Sequence, residues 1–259
     1  MIEIRDLSFS YGADPFVQSL SLTLKNNSLT ALIGENGSGK STLLKLITGD
    51  EKPAAGEIFV DGVNIHNIHK RELAKKLSYF PQSRPTPDMR AEEVVLMGRY
   101  PYTRGRFSTP QKDKEMALAA MEAVSVSEFS ERNMQTLSFG ERQKVYLAML
   151  LSQDTKNCLF DEPTNFMDIA AKFMMLKRLS ALRSEGRCVL CVLHDLSLAM
   201  RYADRVIVMK NGAVFADGAP KTLCESGAID TVFGVHTVYR KEDGVDTYTF
   251  LPKSSDLPS

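Results

Sequence analysis

The residues from Gly34 to Ser41 have types and spacing suited to holding phosphate groups, because they match the pattern G-x-x-x-x-G-K-[ST] at every fixed position. Glycines let the backbone turn so that successive amide N–H groups converge on phosphate oxygens. Lys40 can reach the β- and γ-phosphates of a nucleotide, and Ser41 can hold Mg²⁺. Chance alone matches the fixed positions in roughly one chain of this length in a hundred, so we prefer a phosphate site to a plain glycine-rich turn. The predicted nucleotide contacts are Gly34, Asn36, Gly37, Ser38, Gly39, Lys40, Ser41 and Thr42.

Two adjacent carboxylates, Asp161 and Glu162, follow the apolar stretch Asn157–Phe160, which is typical of a strand. An Asp at a strand end can order Mg²⁺ through its water shell. Glu162 points to the other side of the strand and is placed to polarise a water for attack on a γ-phosphate. Taken alone, the pair fits a solvated turn equally well. The phosphate loop upstream makes the catalytic interpretation the stronger one.

Gln82 and His194 also stand at the ends of predicted strands, Leu77–Phe80 and Cys188–Leu193. Gln82 carries no signal by itself, and a lone His at a strand end is usually structural. The strand before His194 belongs to the same predicted sheet as the phosphate loop, however, so a contact between this imidazole and a γ-phosphate is feasible.

The phosphate loop must be positioned by the elements on either side of it. Leu29–Ile33 is a nearly continuous apolar run, which suits a strand covered on both faces. Lys40–Thr48 has apolar residues at helical spacing, and Gly49 is a plausible stop. The helix beginning at Lys40 adds its positive end to the site. We therefore expect the order strand, glycine loop, helix.

The rest of the chain divides into regions of different character. Alternating residues predict an edge strand over Ile2–Ser10 and a strand over Ser19–Leu24. A helical insertion is predicted at Ala91–Met97, Pro110–Val124 and Gly140–Leu151, followed by the return of strands and an amphipathic helix at Ile169–Arg183. We expect the Phe and Met side chains of that last helix to lie in the core. After Pro220 we expect a short helical piece and a final polar stretch.

Composition excludes some classes of protein and leaves others open. The 259 residues are 43% hydrophobic and 25% charged with a formal net charge of +0, so a strongly basic nucleic-acid binder is disfavoured. No run approaches the 18–20 or so apolar residues that span a bilayer, and Met1–Asp6 carries charges where a signal peptide needs apolar residues. We expect a cytosolic chain that meets any membrane through a partner.

Two metal-like spacings have simpler explanations. Cys188 and Cys191 form a CxxC, but residues three apart on a strand point to opposite faces, so we expect core packing. His66 and His69 lie in a polar stretch, where a solvated loop or helix start is the better interpretation.

The segment Leu137–Gln143, reading LSFGERQ, resembles the signature LSGGQ of ABC transporter ATPases. Together with the phosphate loop and Asp161–Glu162, the resemblance covers nearly the whole chain. It implies an α/β fold with a P-loop NTPase (RecA-like) core, an antiparallel β subdomain and an inserted α-helical subdomain. It also implies one ABC ATPase domain over residues 1–259. We expect the core with its β subdomain at 1–83 and 153–219, the helical signature subdomain at 84–152 and a tail at 220–259.

The resemblance also implies roles for individual residues. In the family, the signature caps ATP held by the partner subunit, which assigns that contact to Ser138 and Gly140. Tyr11 is similar to the aromatic residue that stacks on adenine, although an ordinary strand-end tyrosine is the alternative. Gln82 matches the glutamine that senses Mg²⁺ and the permease, and Glu162 matches the general base. Asp168 matches the aspartate at the dimer interface, and His194 matches the switch histidine. The sequence departs from the signature at Phe139, where the family has glycine, and at Glu141, where it has glutamine.

Within the family, Met97–Tyr102 and Val232–Val235 are similar to ATPases of iron-siderophore, haem and vitamin B12 importers. This likeness implies ATP and Mg²⁺ as cofactors, a homodimer of ATPase subunits, transmembrane permease subunits and an extracytoplasmic substrate-binding protein. It places the chain at the cytoplasmic face of the membrane. The basic residues Arg99, Arg104 and Arg106 are then either a solvated loop or a surface that docks a coupling helix of the permease.

Three other functions stay open on the sequence. One is a soluble ABC ATPase, such as a cluster-assembly ATPase, and another is an ABC importer for a different small solute. The third is a regulatory nucleotide-binding module without activity, which the intact Lys40, Asp161, Glu162 and His194 argue against.

Overall fold

The computed structural model describes residues 1–12, 15–103 and 110–252. The strands are β1 (Ile2–Phe9), β2 (Val17–Leu24), β3 (Ser28–Gly34), β4 (Ala55–Val60), β5 (Val63–Asn64), β6 (Leu77–Phe80), β7 (Asn157–Asp161), β8 (Cys188–Val192), β9 (Arg205–Lys210), β10 (Ala213–Gly218), β11 (Val235–Glu242) and β12 (Val245–Pro252). The helices are α1 (Lys40–Thr48), α2 (Lys70–Leu73), α3 (Ala91–Met97), α4 (Gln111–Ala123), α5 (Phe139–Gln153), α6 (Ile169–Ser184), α7 (Leu196–Tyr202), α8 (Pro220–Glu225) and α9 (Ala228–Phe233).

The central sheet has the strand order β10-β9-β3-β8-β7-β6. Strands β9, β3, β8, β7 and β6 run parallel, and β10 is an antiparallel edge strand. The apolar runs of β7 and β8 are buried along their whole length, as expected for strands covered on both faces. The carboxyl ends of the parallel strands meet at one edge, which is where ligands bind in such sheets.

The two faces of the central sheet are covered by separate apolar clusters. In β8, Cys191 packs into the cluster that contains α5 and α6, whereas Cys188 packs into the cluster that contains α1 and β1. The two thiols therefore point to opposite faces, as the sequence predicted. Burial raises the pKa of Cys188 to about 12, so its thiol stays protonated inside the core.

The second sheet is antiparallel, with the strand order β2-β1-β4-β5. The prediction of an edge strand at residues 2–10 was wrong, because β1 pairs with β2 on one side and with β4 on the other. Alternation of apolar residues such as Ile2 and Ile4 shows that one face of a strand is buried. It does not show how many strands pair with its edges, so this error has a simple physical origin.

The helical segment agrees with the prediction to within one or two residues at each end. Helices α3, α4 and α5 pack against one another, and α5 also packs on β6. Their buried side chains, among them Val95, Met121 and Leu147, are continuous with the cluster on one face of the central sheet. Within the described ranges, no helix combines the length and the apolar character that crossing a bilayer requires.

The expectation that all Phe and Met side chains of α6 lie in the core was wrong. Met175 is buried together with Leu176, but Phe173 and Met174 are 42% and 50% exposed. Ile169, in the first turn, is 74% exposed. The helical spacing correctly identified the buried stripe further along, but it did not show that the first two turns of α6 lie at the surface.

The tail contains more structure than a polar stretch. Helices α8 and α9 are followed by the antiparallel hairpin of β11 and β12. Strand β12 packs against α7, and Tyr248 on this strand is 5% exposed. The Ser197 hydroxyl donates to the Tyr248 carbonyl oxygen at 3.3 Å. The hairpin therefore belongs to the folded core, which the polar composition of the segment concealed.

Candidate active site

The glycine loop joins the end of β3 to the start of α1, as the pattern required. Gly34 ends β3 at a point where a Cβ would lie 2.4 Å from the Met209 carbonyl oxygen and 2.6 Å from the Ser38 hydroxyl oxygen. Gly39, immediately before the helix, has φ +106°, which favours glycine. Steric crowding therefore explains the glycine at position 34, and the backbone conformation explains the glycine at position 39.

Lys40 is the cation of the loop, and it is only 6% exposed. Its Nζ donates to the carbonyl oxygens of Gly34 at 2.8 Å and Glu35 at 2.9 Å. An ammonium group has three donors, so one remains for a phosphate oxygen. Burial lowers the pKa of Lys40, while the carboxylates of Glu162 and Asp161 act in the opposite direction. Because nearby negative charge favours the protonated form, a triphosphate would further stabilise this cation.

A cavity of about 220 Å³ lies over the loop. It is lined by Phe16, Asn36, Gly37, Gly39, Lys40, Ser41, Thr42 and Glu162. At its mouth, Tyr11 is 61% exposed and its hydroxyl forms a hydrogen bond with the Thr42 hydroxyl at 3.0 Å. The Tyr11 ring lies 4.7 Å from that of Phe9 and 5.9 Å from that of Phe16. Aromatic faces therefore stand beside the phosphate loop, where a base could stack.

Asp161 ends β7 and is 4% exposed. Its Oδ2 accepts a hydrogen bond from the Tyr79 hydroxyl at 3.2 Å, whereas its Oδ1 is buried without a partner among the described residues. Burial raises the pKa of Asp161, with a further contribution from Glu162, against the opposing effect of the Tyr79 hydrogen bond. An unpaired carboxylate oxygen beside a phosphate loop fits a hard cation such as Mg²⁺, which takes oxygen ligands.

Glu162 connects the ends of three neighbouring strands. Its carboxylate accepts from the Gln82 amide at 2.6 Å, and it also contacts His194 Nε2 and the Asn165 amide. Glu162 itself has φ +50°, so its backbone occupies the left-handed region that favours glycine. The fold thus brings Gln82, Glu162 and His194 together from positions up to 112 residues apart, and Glu162 lines the same cavity as Lys40.

The segment Ser138–Glu141 lies apart from this cavity. Ser138 caps α5 with a reciprocal pair of hydrogen bonds: its N–H donates to Glu141 Oε2 at 2.7 Å, and the Glu141 N–H donates to its hydroxyl at 3.3 Å. Gly140 follows in the first turn. Neither Ser138 nor Gly140 lines the cavity over the phosphate loop of its own chain.

Asp168 caps α6 by accepting a hydrogen bond from the Ala171 N–H at 2.7 Å. It also does not line the cavity. The neighbouring Phe166 is 87% exposed and makes an edge-to-face contact with Phe139, with ring centroids 6.2 Å apart. The α5 and α6 starts therefore share an exposed aromatic surface.

A comparison with known families decides what kind of protein carries this site. The sequence model described as ABC transporter matches residues 17–165, which is more than half of the chain. The chain belongs to the ABC transporter family. The family resemblance and the α/β fold class predicted from the sequence are both confirmed.

Individual relatives of this ABC transporter chain match over almost their full length. The ferric enterobactin transport ATP-binding protein FepC of Escherichia coli (strain K12) is 34% identical over 98% of this chain and 94% of FepC. The achromobactin transport ATP-binding protein CbrD of Dickeya dadantii (strain 3937) is 36% identical over 90% of this chain and 88% of CbrD. A solved structure described as a metal-chelate type ABC transporter in an inward-facing conformation shares the fold, with a TM-score of 0.84, 24% identity and 98% and 97% coverage of the two chains.

The expectation that Arg99 belongs to an exposed basic surface of this ABC transporter chain was wrong. Arg99 is 5% exposed, and its Nε donates to Asp113 Oδ1 at 2.9 Å while Nη1 donates to the Ser152 carbonyl oxygen at 2.7 Å. It therefore joins α4 and α5 inside the helical segment. Arg104 and Arg106 lie outside the described residues.

Several residues at the site were not predicted from the sequence. Phe16 lines the cavity, Tyr79 contacts Asp161, and Asn165 contacts Glu162. Asn165 was detectable, since it lies three residues after Glu162 in the same turn. Tyr79 and Phe16 carried no local signal, because pairing with other segments of the chain brings them to the site.

Proposed function

We propose that this chain is the ATP-binding and ATP-hydrolysing subunit of an ABC importer that powers uptake of an iron complex, or of a cobalamin-like substrate, through a membrane permease. The single observation that carries the ATPase assignment is that Lys40 and Glu162 line one cavity over the glycine loop. Phosphate-binding and water-activating groups are thereby within reach of the same ligand. The alternative of a binding module without activity would not need the second group.

Each residue has a defined part in this proposal. Lys40 and the loop amides hold the triphosphate, with Tyr11 against the base. Ser41, Asp161 and Gln82 would hold Mg²⁺, which supplies neutralisation of the phosphate charge. Glu162 accepts a hydrogen bond from the Gln82 amide and contacts His194, so its carboxylate is oriented to polarise a water.

The site is proposed to be completed by a second copy of the chain. Ser138 and Gly140 stand at the N-terminus of the 15-residue helix α5, a position that favours anions, yet they do not line the cavity of their own chain. If two copies were arranged head to tail, Ser138 and Gly140 of each copy would lie over the γ-phosphate of the ATP bound to the other copy. Asp168 would lie at the interface between them. The charged γ-phosphate then links the copies, and its release lets them separate.

The type of cargo is supported by the names of the relatives, which include transporters of ferric enterobactin and achromobactin. We propose an iron-siderophore or related complex as cargo. Permease subunits, an extracytoplasmic substrate-binding protein and a location at the cytoplasmic face of the membrane belong to the same proposal. The segment 84–152 would contact the permease and transmit the movement of the dimer.

Replacing Glu162 by Gln tests the catalytic assignment. We expect ATP hydrolysis to fall by roughly 10²–10⁴-fold, the usual contribution of a general base. Because ATP binding is retained, the variant should accumulate as an ATP-bound dimer in size-exclusion chromatography. Glu122→Gln, at an exposed position on α4, is the matched control and should keep wild-type turnover. Wild-type hydrolysis by Glu162→Gln would refute the assignment.

Uptake of an iron-55-labelled ferric siderophore by cells tests the proposed cargo. Deletion of the chain should abolish uptake, the wild-type chain should restore it, and Lys40→Ala should not. Purification from membranes should recover a multi-helix permease. Recovery of an exclusively soluble complex, with unchanged iron uptake, would favour a soluble ABC ATPase instead.

A further inference from the structure

A second cavity lies away from the phosphate loop, between helices α4, α5 and α6. Its volume is about 370 Å³, compared with about 220 Å³ over the loop. This volume falls within the range of small-molecule sites, roughly 300–1,000 Å³. Of the residues proposed to contact nucleotide, Gly140 lines this cavity, and Gly140 and Met167 connect it to the starts of α5 and α6.

Apart from Ser125 and three cationic residues, the walls of this cavity are apolar. The lining residues other than the three cations are Ala123, Val124, Ser125, Gly140, Leu147, Met167, Ala171, Met174, Met175 and Ala181. None is aromatic, and none is acidic. Methionine side chains are flexible and polarisable, and they adapt to irregular apolar ligands. These walls suit a flexible alkyl chain better than a flat ring.

The three remaining lining residues, Lys144, Lys177 and Arg178, are all cationic. Among the described residues, neither lysine forms an ion pair, although Lys144 is near enough to Glu141 for its charge to lower the pKa of that carboxyl. Arg178 pairs through Nη1 with Glu185 at 3.1 Å, but its Nε is buried without a hydrogen-bond partner. Because this Nε has almost no accessible surface, the donors that an anionic oxygen in the cavity can reach are the ammonium groups of Lys144 and Lys177.

We propose that this cavity binds a medium-chain alkyl carboxylate, with the chain against the methionines and the carboxylate among Lys144, Lys177 and Arg178. The ligand would contact α5, which is capped by Ser138 and contains Gly140 in its first turn, and α6, which follows Asp168. A ligand there would hold the two helices in one relative position. Apart from Gly140, no residue proposed to contact nucleotide lines this cavity, so ligand binding here can be measured separately from ATP hydrolysis.

Calorimetric titration of the full-length, nucleotide-free chain with octanoate tests the proposal. Octan-1-ol and octyltrimethylammonium serve as probes with the same alkyl chain and a different head group. We expect saturable binding of one octanoate per chain. The alcohol and the cation should bind at least about tenfold more weakly, since charge-assisted hydrogen bonds contribute on this scale.

Two substitutions at exposed lining positions should weaken octanoate binding without unfolding the protein. Met174→Asp places a carboxylate at the wall and should abolish measurable binding, while Lys177→Glu should weaken it at least tenfold. Lys172→Glu, on the same helix but outside the cavity, makes the same charge change and should bind octanoate as the wild type does.

Three results would overturn the proposal: absence of saturable octanoate binding, equal binding of octan-1-ol, or wild-type affinity in both lining variants. Circular dichroism melting of each variant establishes that it is folded before the titration. The titration requires neither ATP hydrolysis nor dimer formation, so its outcome is separate from that of the Glu162→Gln test.

Discussion

At the scale of one residue, the buried carboxylate of Asp161 lowers the stability of the nucleotide-free protein. Its carboxylate is buried beside Glu162, and one of its oxygens has no donor among the described residues. Tyr79 donates to the other oxygen, and this bond and the charge of Lys40 offset only part of the burial. A cation and a triphosphate would complete the set of charges, so the nucleotide-free chain bears a cost that binding relieves.

Asp161→Asn should therefore stabilise the nucleotide-free protein at pH 7. Because burial raises the pKa of Asp161 in the folded state, its destabilising effect is present above the folded pKa, shrinks as the pH falls through that value, and disappears below the ordinary value of 3.8, where both states are protonated. We expect a rise in Tm of about 2–4 °C at pH 7, corresponding to ~1 kcal/mol in a chain of this size, and a smaller rise at acidic pH.

Thermal melting with EDTA, without nucleotide, measures this effect. Asp243→Asn, at an exposed turn, is the control and should leave Tm unchanged. A Tm equal to or below that of the wild type in Asp161→Asn at pH 7 would contradict the interpretation of Asp161 as a buried, incompletely satisfied charge.

At the scale of an element, the start of α5 explains one departure from the signature of the family. Glu141 stands where the resemblance expects glutamine, and its carboxylate accepts from the N–H of Ser138. That hydrogen bond and the one with the Ser138 side chain lower the pKa of Glu141, and the charges of Arg132 and Lys144 act in the same direction. Glutamine can form the same reciprocal cap, so the departure adds charge without changing the geometry. Phe139 has a contact partner in Phe166, but nothing in the structure explains why glycine is replaced there.

Glu141→Gln should lower the free energy of unfolding by less than about 1 kcal/mol at pH 7, because it removes a charge but keeps the acceptor. A lowered pKa in the folded state contributes stability above the ordinary pKa of a glutamate, and this contribution is lost as the pH falls through the folded value. The difference between variant and wild type should therefore vanish in acid.

Urea unfolding at neutral and acidic pH measures the loss, with Glu122→Gln at the exposed end of α4 as the control. A loss that stays constant with pH would show that the charge of Glu141 is not the stabilising feature.

At the scale of the whole molecule, the tail is joined through α7 to the edge of the central sheet where Glu162 and His194 lie. Tyr248 of β12 belongs to the same apolar cluster as Ala199 and Met200 of α7, and α7 begins two residues after His194. The cluster continues through α5 and α6 across one face of the central sheet. Hairpin, helical segment and sheet therefore share one core.

Tyr248→Ala should lower the free energy of unfolding by about 3 kcal/mol, as expected for truncating a large buried side chain. Val245→Ala, on the same strand but 43% exposed, should cost far less. Chemical denaturation followed by circular dichroism compares the two. Equal costs would mean that the hairpin does not belong to the cooperative core.

The sequence by itself determined the features that depend on neighbouring residues. The glycine loop and the helix Lys40–Thr48 were predicted within their observed bounds, because phosphate-loop chemistry and helix periodicity are both local. The same holds for the strand Leu77–Phe80 and the helix Ala91–Met97. The family also followed from short motifs, since their order along the chain is diagnostic.

Only the tertiary structure decided which distant residues meet. Gln82, Glu162 and His194 converge because β6, β7 and β8 lie side by side in parallel, and no local pattern encodes strand order. The interior position of β1 and the burial of Tyr248 likewise depend on strand pairing and packing between distant segments. Periodicity identifies a buried face, but the packing of the whole chain decides what covers it, which is why Phe173 is exposed and Arg99 is buried.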